Sequence, residues 1–182
     1  MSGKLVILSG PSGVGKDTLL DRLQLDPRIQ RVCAFTTREP RSGEIDGVDY
    51  HFVDRETFDR MALAGEFVEF KIVHGNGYAT PVAGLQRILD EGKFAVLKID
   101  TQGALDVMDR RPDALTIFIL PPSIQELERR IRTRATDSEE KIQIRLQNAR
   151  DELAVADRYQ YKIVNEDLES ALDEIQQILT DA

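Results

Sequence analysis

Leu5-Val6-Ile7-Leu8-Ser9-Gly10-Pro11-Ser12-Gly13-Val14-Gly15-Lys16-Asp17-Thr18 is the stretch from which the rest of the chain is read. Leu5 to Leu8 is an unbroken apolar run, the pattern of a parallel strand buried on both faces. Gly10 to Lys16 fits G-x-x-x-x-G-K, the phosphate-binding loop or P-loop. Leu19, Leu20 and Leu23 then follow at helical spacing. Strand, glycine turn and helix in this order give the motif its context. The glycines let successive N–H groups point inward as an anion nest, backed by the positive end of the helix dipole. Lys16 adds a mobile ammonium for the outer phosphates. The bland alternative is a glycine-rich turn that binds nothing.

The motif departs from its usual form at one position. It normally ends in Ser or Thr, whose hydroxyl ligates Mg²⁺. Here that position is Asp17, and a hydroxyl appears only at Thr18. A carboxylate is a good Mg²⁺ ligand, but it also sets negative charge beside a polyphosphate.

Outward from this stretch, 182 residues are enough for a compact core with small insertions. A net charge of −8 argues against a nucleic-acid surface. It leaves room for a small phosphorylated substrate held by a local basic cluster. Cys33 is the lone cysteine, so no internal disulfide forms and a reducing compartment, the cytoplasm, is expected. The N-terminus enters the first strand almost at once, which is read as the absence of a signal peptide. No apolar run approaches membrane-spanning length. His51 and His74 are too few and too far apart in sequence for a zinc site.

Apolar strands alternate with helical patterns, which predicts an α/β fold with a parallel sheet and helices on its faces. Strands are expected at 31–35, 67–73, 94–99, 115–120 and 161–164. Between them, Arg55 to Ala64 reads as a helix, and Thr80-Pro81 as the start of another with Val82, Leu85, Ile88 and Leu89 buried. Gly75-Asn76-Gly77 reads as a turn. Ser123 and Glu126 form a capping box. Ile142 to Leu153 and Leu168 to Leu179 carry the last apolar stripes. The polar run from Thr36 to Tyr50 is too long for a simple connection, and such loops are usually functional.

Two further clusters carry chemistry. Arg38 and Arg41 flank Pro40, so two guanidiniums can converge on a phosphate, with the hydroxyls of Tyr50 and Tyr78 to complete the site. The competing reading is a solvated loop that happens to carry arginines. Glu69 is an acid among apolar neighbours: either an exposed edge-strand residue or an acceptor for the N–H groups of a purine. Arg130, Arg134 and Arg145 form the other cluster. They read either as a salt-bridged helix surface with Glu126 and Glu128 or as a lid that closes cations over a transferring phosphoryl group.

With these residues in view the chain resembles a guanylate kinase almost end to end. The resemblance rests on Gly10 to Lys16, on Thr36-Thr37-Arg38-Glu39-Pro40-Arg41 with Gly43-Glu44 and Asp49-Tyr50, and on Ile99-Asp100 with Gln102-Gly103. It continues through Phe118 to Ser123, Thr136-Asp137-Ser138 and Ile163 to Leu168. It implies a P-loop NTPase-type three-layer α/β fold. The core with the P-loop would comprise residues 1–33, 82–124 and 148–182. A nucleoside-monophosphate-binding insertion would span 34–81 and a lid 125–147. It implies transfer of phosphate from ATP to GMP with Mg²⁺. Gly10 to Thr18 match the ATP-binding segment, and Lys16 the P-loop lysine. Arg38, Arg41, Tyr50 and Tyr78 match ligands of the GMP phosphate. Glu69 and Thr80 match guanine readers, and Asp100 another nucleotide contact. Lys16, Arg38, Arg130, Arg134 and Arg145 match the catalytic cations. Asp17, Thr18 and Asp100 are the candidate metal ligands.

Several positions depart from that pattern. Ala34 stands where the family usually has a Ser that helps read guanine. Gly77 and Ala79 replace a usual Tyr and Gly beside Tyr78, and Ala135 replaces a lid Gly. Lys98 stands where an acidic residue is usual. Asp17 and Lys98 together nearly conserve local charge, which predicts an ion pair between them at the metal end of the site; the competing reading is that both side chains turn to solvent. Two other functions stay open: a kinase of another phosphorylated acceptor such as a ribose bisphosphate precursor, and a weakly active or non-catalytic binding module of the same fold.

Overall fold

The computed structural model describes residues 3–73, 75–133 and 138–182. Its centre is a five-stranded sheet, all parallel: β1 (Lys4–Ser9), β2 (Ile29–Arg31), β7 (Phe94–Lys98), β8 (Leu115–Leu120) and β9 (Tyr161–Val164), in the order β2-β7-β1-β8-β9. Central β1 is buried on both faces, as its apolar run predicts. Leu5 and Ile7 pack on one side with Leu85, Leu97, Val107 and Phe118. Val6 and Leu8 pack on the other with Leu19, Ile117, Leu172 and Ile175. Helices α1 (Lys16–Leu23) and α7 (Leu168–Asp181) cover that second face, and α3 (Val82–Asp90) and α4 (Thr101–Arg110) the first. The result is three layers, as expected. α5 (Ile124–Thr133) and α6 (Glu139–Leu153) share a separate small core of Leu127, Ile131, Ile142, Leu146 and Ala149.

A second, four-stranded sheet is drawn from residues 35–81. It orders β4 (His51–Phe52), β3 (Phe35–Thr36), β6 (Asn76–Pro81) and β5 (Phe67–Val73), with α2 (Arg55–Leu63) against it. The Phe58 ring, 1% exposed, fills the space between α2 and this sheet. Its centroid lies 5.1 Å from that of Phe67.

Four local expectations need correction. The strand expected at 31–35 is two. Ile29–Arg31 belongs to the central sheet, Phe35–Thr36 to the second, and the chain crosses between them at 32–34. The 75–77 turn is shorter than expected, since β6 already begins at Asn76. Thr80-Pro81 ends β6 instead of opening a helix: the Thr80 hydroxyl bonds to Glu69, and Pro81 holds the cap position of α3 without a side-chain bond. Val82 is consequently 44% exposed and not part of the buried stripe. Helix α4 has no counterpart in the sequence reading. It is opened by Asp100, whose carboxylate accepts from Gly103 N at 2.9 Å.

Candidate active site

The P-loop leaves the carboxyl end of β1 and turns into α1. Gly10, Gly13 and Gly15 have φ of 142°, 86° and 104°, in the region that favours glycine. At Gly10 a methyl group would also run into the Ile119 carbonyl. Asn165, 7% exposed, props the loop by donating to Val14 O at 2.8 Å. Lys16 folds back over the loop and donates to the carbonyls of Gly10 and Pro11. Burial holds its ammonium down to about 8, while Glu152 and Asp17 pull it back up.

Helix α6 brings two side chains of opposite charge to the same loop residue. Arg145 donates to Ser12 Oγ at 3.1 Å, and the Ser12 N–H donates to Glu152 Oε2 at 3.3 Å. Glu152 was missed in the sequence, although it lies seven residues after Arg145 and so on the same helix face. Its carboxyl is pushed up by burial and drawn back by Lys16. Arg130 Nε donates to Glu126, and its other nitrogens donate to Val14 O at 3.4 Å and Asn165 O at 3.2 Å. Arg130 is thus paired as a helix-surface residue with Glu126, and its guanidinium also stands over the P-loop. Glu128 pairs with Arg132. Arg134, with Ala135, Thr136, Asp137 and His74, lies outside the described residues.

Two clefts concern the site, one of them at the P-loop. Gly13, Gly15, Thr18, Arg130 and Asn165 help line one of about 350 Å³, on the α5 side. The other, about 260 Å³, opens between the two sheets. It gathers Tyr50, Glu69, Tyr78, Thr80 and Asp100 from four separate segments, together with Ala34. Glu69 is 8% exposed and Thr80 2%, so neither is an edge-strand surface group. They face each other across the β5–β6 ladder, with Thr80 Oγ1 donating to Glu69 Oε1 at 2.7 Å. Burial raises the Glu69 carboxyl, and the Thr80 bond and Lys71 partly offset this. The second carboxylate oxygen, Oε2, lies beside Gly103 of α4.

Arg38 does not itself line this cleft but stands beside Tyr50, which does. Its guanidinium stands 5.6 Å from the Tyr50 ring centroid and bonds to Glu44 at 2.8 Å. The other Glu44 oxygen accepts from Arg41 N at 2.7 Å, so Glu44 ties the two arginine positions together. The Arg41 side chain is exposed on the loop and does not line the cleft. Arg31 does line it, 5.5 Å from the Tyr50 centroid, and went unremarked in the sequence.

Acids and lysines alternate where the cleft meets the P-loop. Lys98 is ion-paired with Asp17, as the two charge departures predicted, and Lys71 is ion-paired with Asp100. For Asp17, burial works to raise the carboxyl, but the Lys98 bond and charge outweigh it and the net shift is downward. Thr18 is not brought together with Asp17 and Asp100; it lines the opposite cleft. Among the described residues, no three His, Cys, Asp or Glu side chains form a metal-binding group. Hard carboxylate oxygens beside a phosphate nest nevertheless fit Mg²⁺, which keeps several waters and takes few protein ligands. No described helix is long and apolar enough to cross a membrane.

Comparison with known proteins gives a consistent result. The family model described as guanylate kinase matches residues 2–182. A guanylate kinase of a Nostoc species is 48% identical over 177 residues, covering 97% of this chain and 89% of the relative. One from Syntrophotalea carbinolica is 48% identical over 179 residues, covering 98% and 85%. The crystal structure of guanylate kinase from Anaplasma phagocytophilum superposes with a TM-score of 0.80 at 39% identity, covering 99% of this chain and 86% of that one. The chain belongs to the guanylate kinase family.

Proposed function

We propose that the chain transfers the γ-phosphoryl group of ATP to GMP, and to dGMP, giving ADP and GDP in purine nucleotide metabolism. The observation that carries the acceptor assignment is the buried Glu69–Thr80 pair facing the cleft between the sheets. Guanine presents N1–H and an exocyclic amino group side by side, and a carboxylate accepts from such an edge; adenine offers no such pair. A site built to hydrogen-bond a group discriminates strongly against substrates that lack it.

Residues 34–81 act as the acceptor-binding unit and 125–147 as the lid, on a core of 1–33, 82–124 and 148–182. Arg38, Tyr50 and Tyr78 hold the acceptor phosphate, Arg41 joins them by swinging its exposed side chain onto the bound nucleotide, and Asp100 contacts the nucleotide. Gly10 to Thr18 hold ATP. A phosphate oxygen of GMP attacks the γ-phosphorus. The new P–O bond forms as the bond to the β–γ bridging oxygen breaks, and its electron pair leaves on ADP. No covalent intermediate is needed; catalysis is positioning and charge stabilisation. Lys16, Arg130, Arg134 and Arg145 supply cations for the charge that develops on the transferring group. Asp17, with Asp100, would hold Mg²⁺, directly or through water, and the ion would supply positive charge against the polyphosphate. Cys33, the lone cysteine, supports placing the enzyme in a reducing compartment, the cytoplasm.

Glu69→Gln tests the assignment. It keeps the side chain's size but exchanges one acceptor for a donor, and is expected to lower kcat/KM for GMP by about 100-fold with little change in the KM for ATP. Unchanged GMP kinetics would overturn it.

A further inference from the structure

The geometry points to Lys71 as a catalytic residue of this site: its ammonium donates to the phosphoryl group in transit between the two nucleotides. This rests on reading the inter-sheet cleft as the acceptor site. Strand β5 alternates, with Phe70 and Ile72 54% and 47% exposed on the outer face and Glu69, Lys71 and Val73 lining the cleft. Glu69 pairs with Thr80 across the ladder, and Lys71 pairs with Tyr78 two residues further along. Two residues of strand span about 6.8 Å. That step leads from the pair proposed to read the base to the tyrosine proposed to bind the phosphate, so Lys71 stands at the phosphate end. Its ammonium is turned toward the P-loop and not away from it. It ion-pairs with Asp100 at the carboxyl end of the central sheet, and its charge is felt by both Lys16 and Glu152.

Lys71 therefore spans the gap between the donor and acceptor phosphates, where charge builds up during transfer. An ammonium has three N–H donors, so the Asp100 contact leaves donors for phosphate oxygens. Lys71 lies on a strand of the acceptor sheet and Lys16 on the P-loop, so the two would clasp the transferring group from opposite sides. The competing role is a brace that only orients Asp100, and the two roles separate experimentally.

Lys71→Met, Lys71→Arg, Asp100→Asn and the double variant Lys71→Met/Asp100→Asn are compared by steady-state kinetics. Calorimetric binding of a bisubstrate compound, adenosine and guanosine joined through a pentaphosphate, gives a second readout. Lys71→Met is expected to lower kcat about 100-fold, with little change in either KM. It is also expected to bind the bisubstrate compound about tenfold more weakly while keeping its affinities for ATP and GMP. Lys71→Arg is expected to recover much of both losses. Lys71→Met in the Asp100→Asn background is expected to cost kcat again. If that second step costs nothing, or if the loss falls wholly on a KM, Lys71 is a brace or a ground-state contact and the inference is wrong. Thermal melts report folding; should Lys71→Met not fold, Lys71→Gln, which keeps a polar end beside Asp100, carries the same comparison. A wild-type enzyme inactive on GMP would instead overturn the acceptor assignment.

Discussion

The Asp17–Lys98 pair lends itself to a quantitative test. Asp17→Ser restores the usual P-loop hydroxyl but strands Lys98, whose side chain is only 17% exposed. Lys98→Asp sets a second carboxylate against Asp17. For unit charges about 4 Å apart at an effective dielectric near 20, the Coulomb energy is about 4 kcal/mol. The Asp17 side chain is 69% exposed, so solvent screening and the cost of ordering both side chains reduce this to about 1 kcal/mol. Lys98→Asp turns that attraction into a repulsion of similar size, a swing of about 2 kcal/mol or about 30-fold. Each single variant is expected to lower Mg²⁺-dependent kcat/KM. The double variant, which sets a hydroxyl at 17 and a carboxylate at 98 and so removes both the attraction and the repulsion, is expected to recover that 30-fold coupling. The assay is ADP release at saturating GMP with ATP varied, at several Mg²⁺ concentrations. A cycle additive within error would show that the two side chains do not act together on catalysis.

Arg38→Ala and Arg41→Ala are each expected to raise the KM for GMP far more than that for ATP, since each removes a charge-assisted bond worth about 1.5–3 kcal/mol; a selective loss of ATP affinity would mean the site is misassigned. Because burial raises the Glu69 carboxyl, its charged, accepting form is lost as pH falls through that raised value. The KM for GMP is therefore expected to climb at a higher pH than an ordinary carboxylate would give, and a Glu69→Gln control separates this from titration of the GMP phosphate. Gly77→Ala is expected to destabilise the chain by about 1–3 kcal/mol, read as a lower Tm, because its methyl would lie 2.7 Å from Phe58 Cζ.

The central sheet was legible because a strand buried on both faces leaves an unbroken apolar run, and Leu5 to Leu8, Phe94 to Leu97 and Ile117 to Leu120 all do so. The P-loop was legible because its glycines are required by backbone conformation, to which close approach of neighbouring groups adds at Gly10 and Gly15. Helix α4 was not: of its buried residues only Ala104 and Val107 are apolar side chains, and its N-cap Asp100 reads equally well as a site residue. The division of 29–36 between two sheets is a tertiary fact with no local signal. Thr80 was misread because Thr-Pro suits a helix start as well as a strand end, and its partner Glu69 lies eleven residues away. The Asp17–Lys98 pair was legible because both departures from the family pattern carried charge of opposite sign. The Lys71–Asp100 pair was missed because nothing in the local pattern links a strand lysine at 71 to an acid at 100. Its significance lies in sharing a strand face with Glu69, two residues apart. Ala34 and Gly77 also acquire a physical reading. Ala34 lines the acceptor cleft without a hydroxyl, and the Phe58 ring occupies the space that a side chain at 77 would need.

The central claim is that the cleft between the two sheets selects guanine. ADP release by the wild-type enzyme with ATP, measured in parallel on GMP, dGMP, AMP, CMP and UMP, tests it most directly. GMP is predicted to have the highest kcat/KM, with dGMP also accepted and AMP, CMP and UMP poor acceptors; turnover of AMP equal to that of GMP would contradict the account.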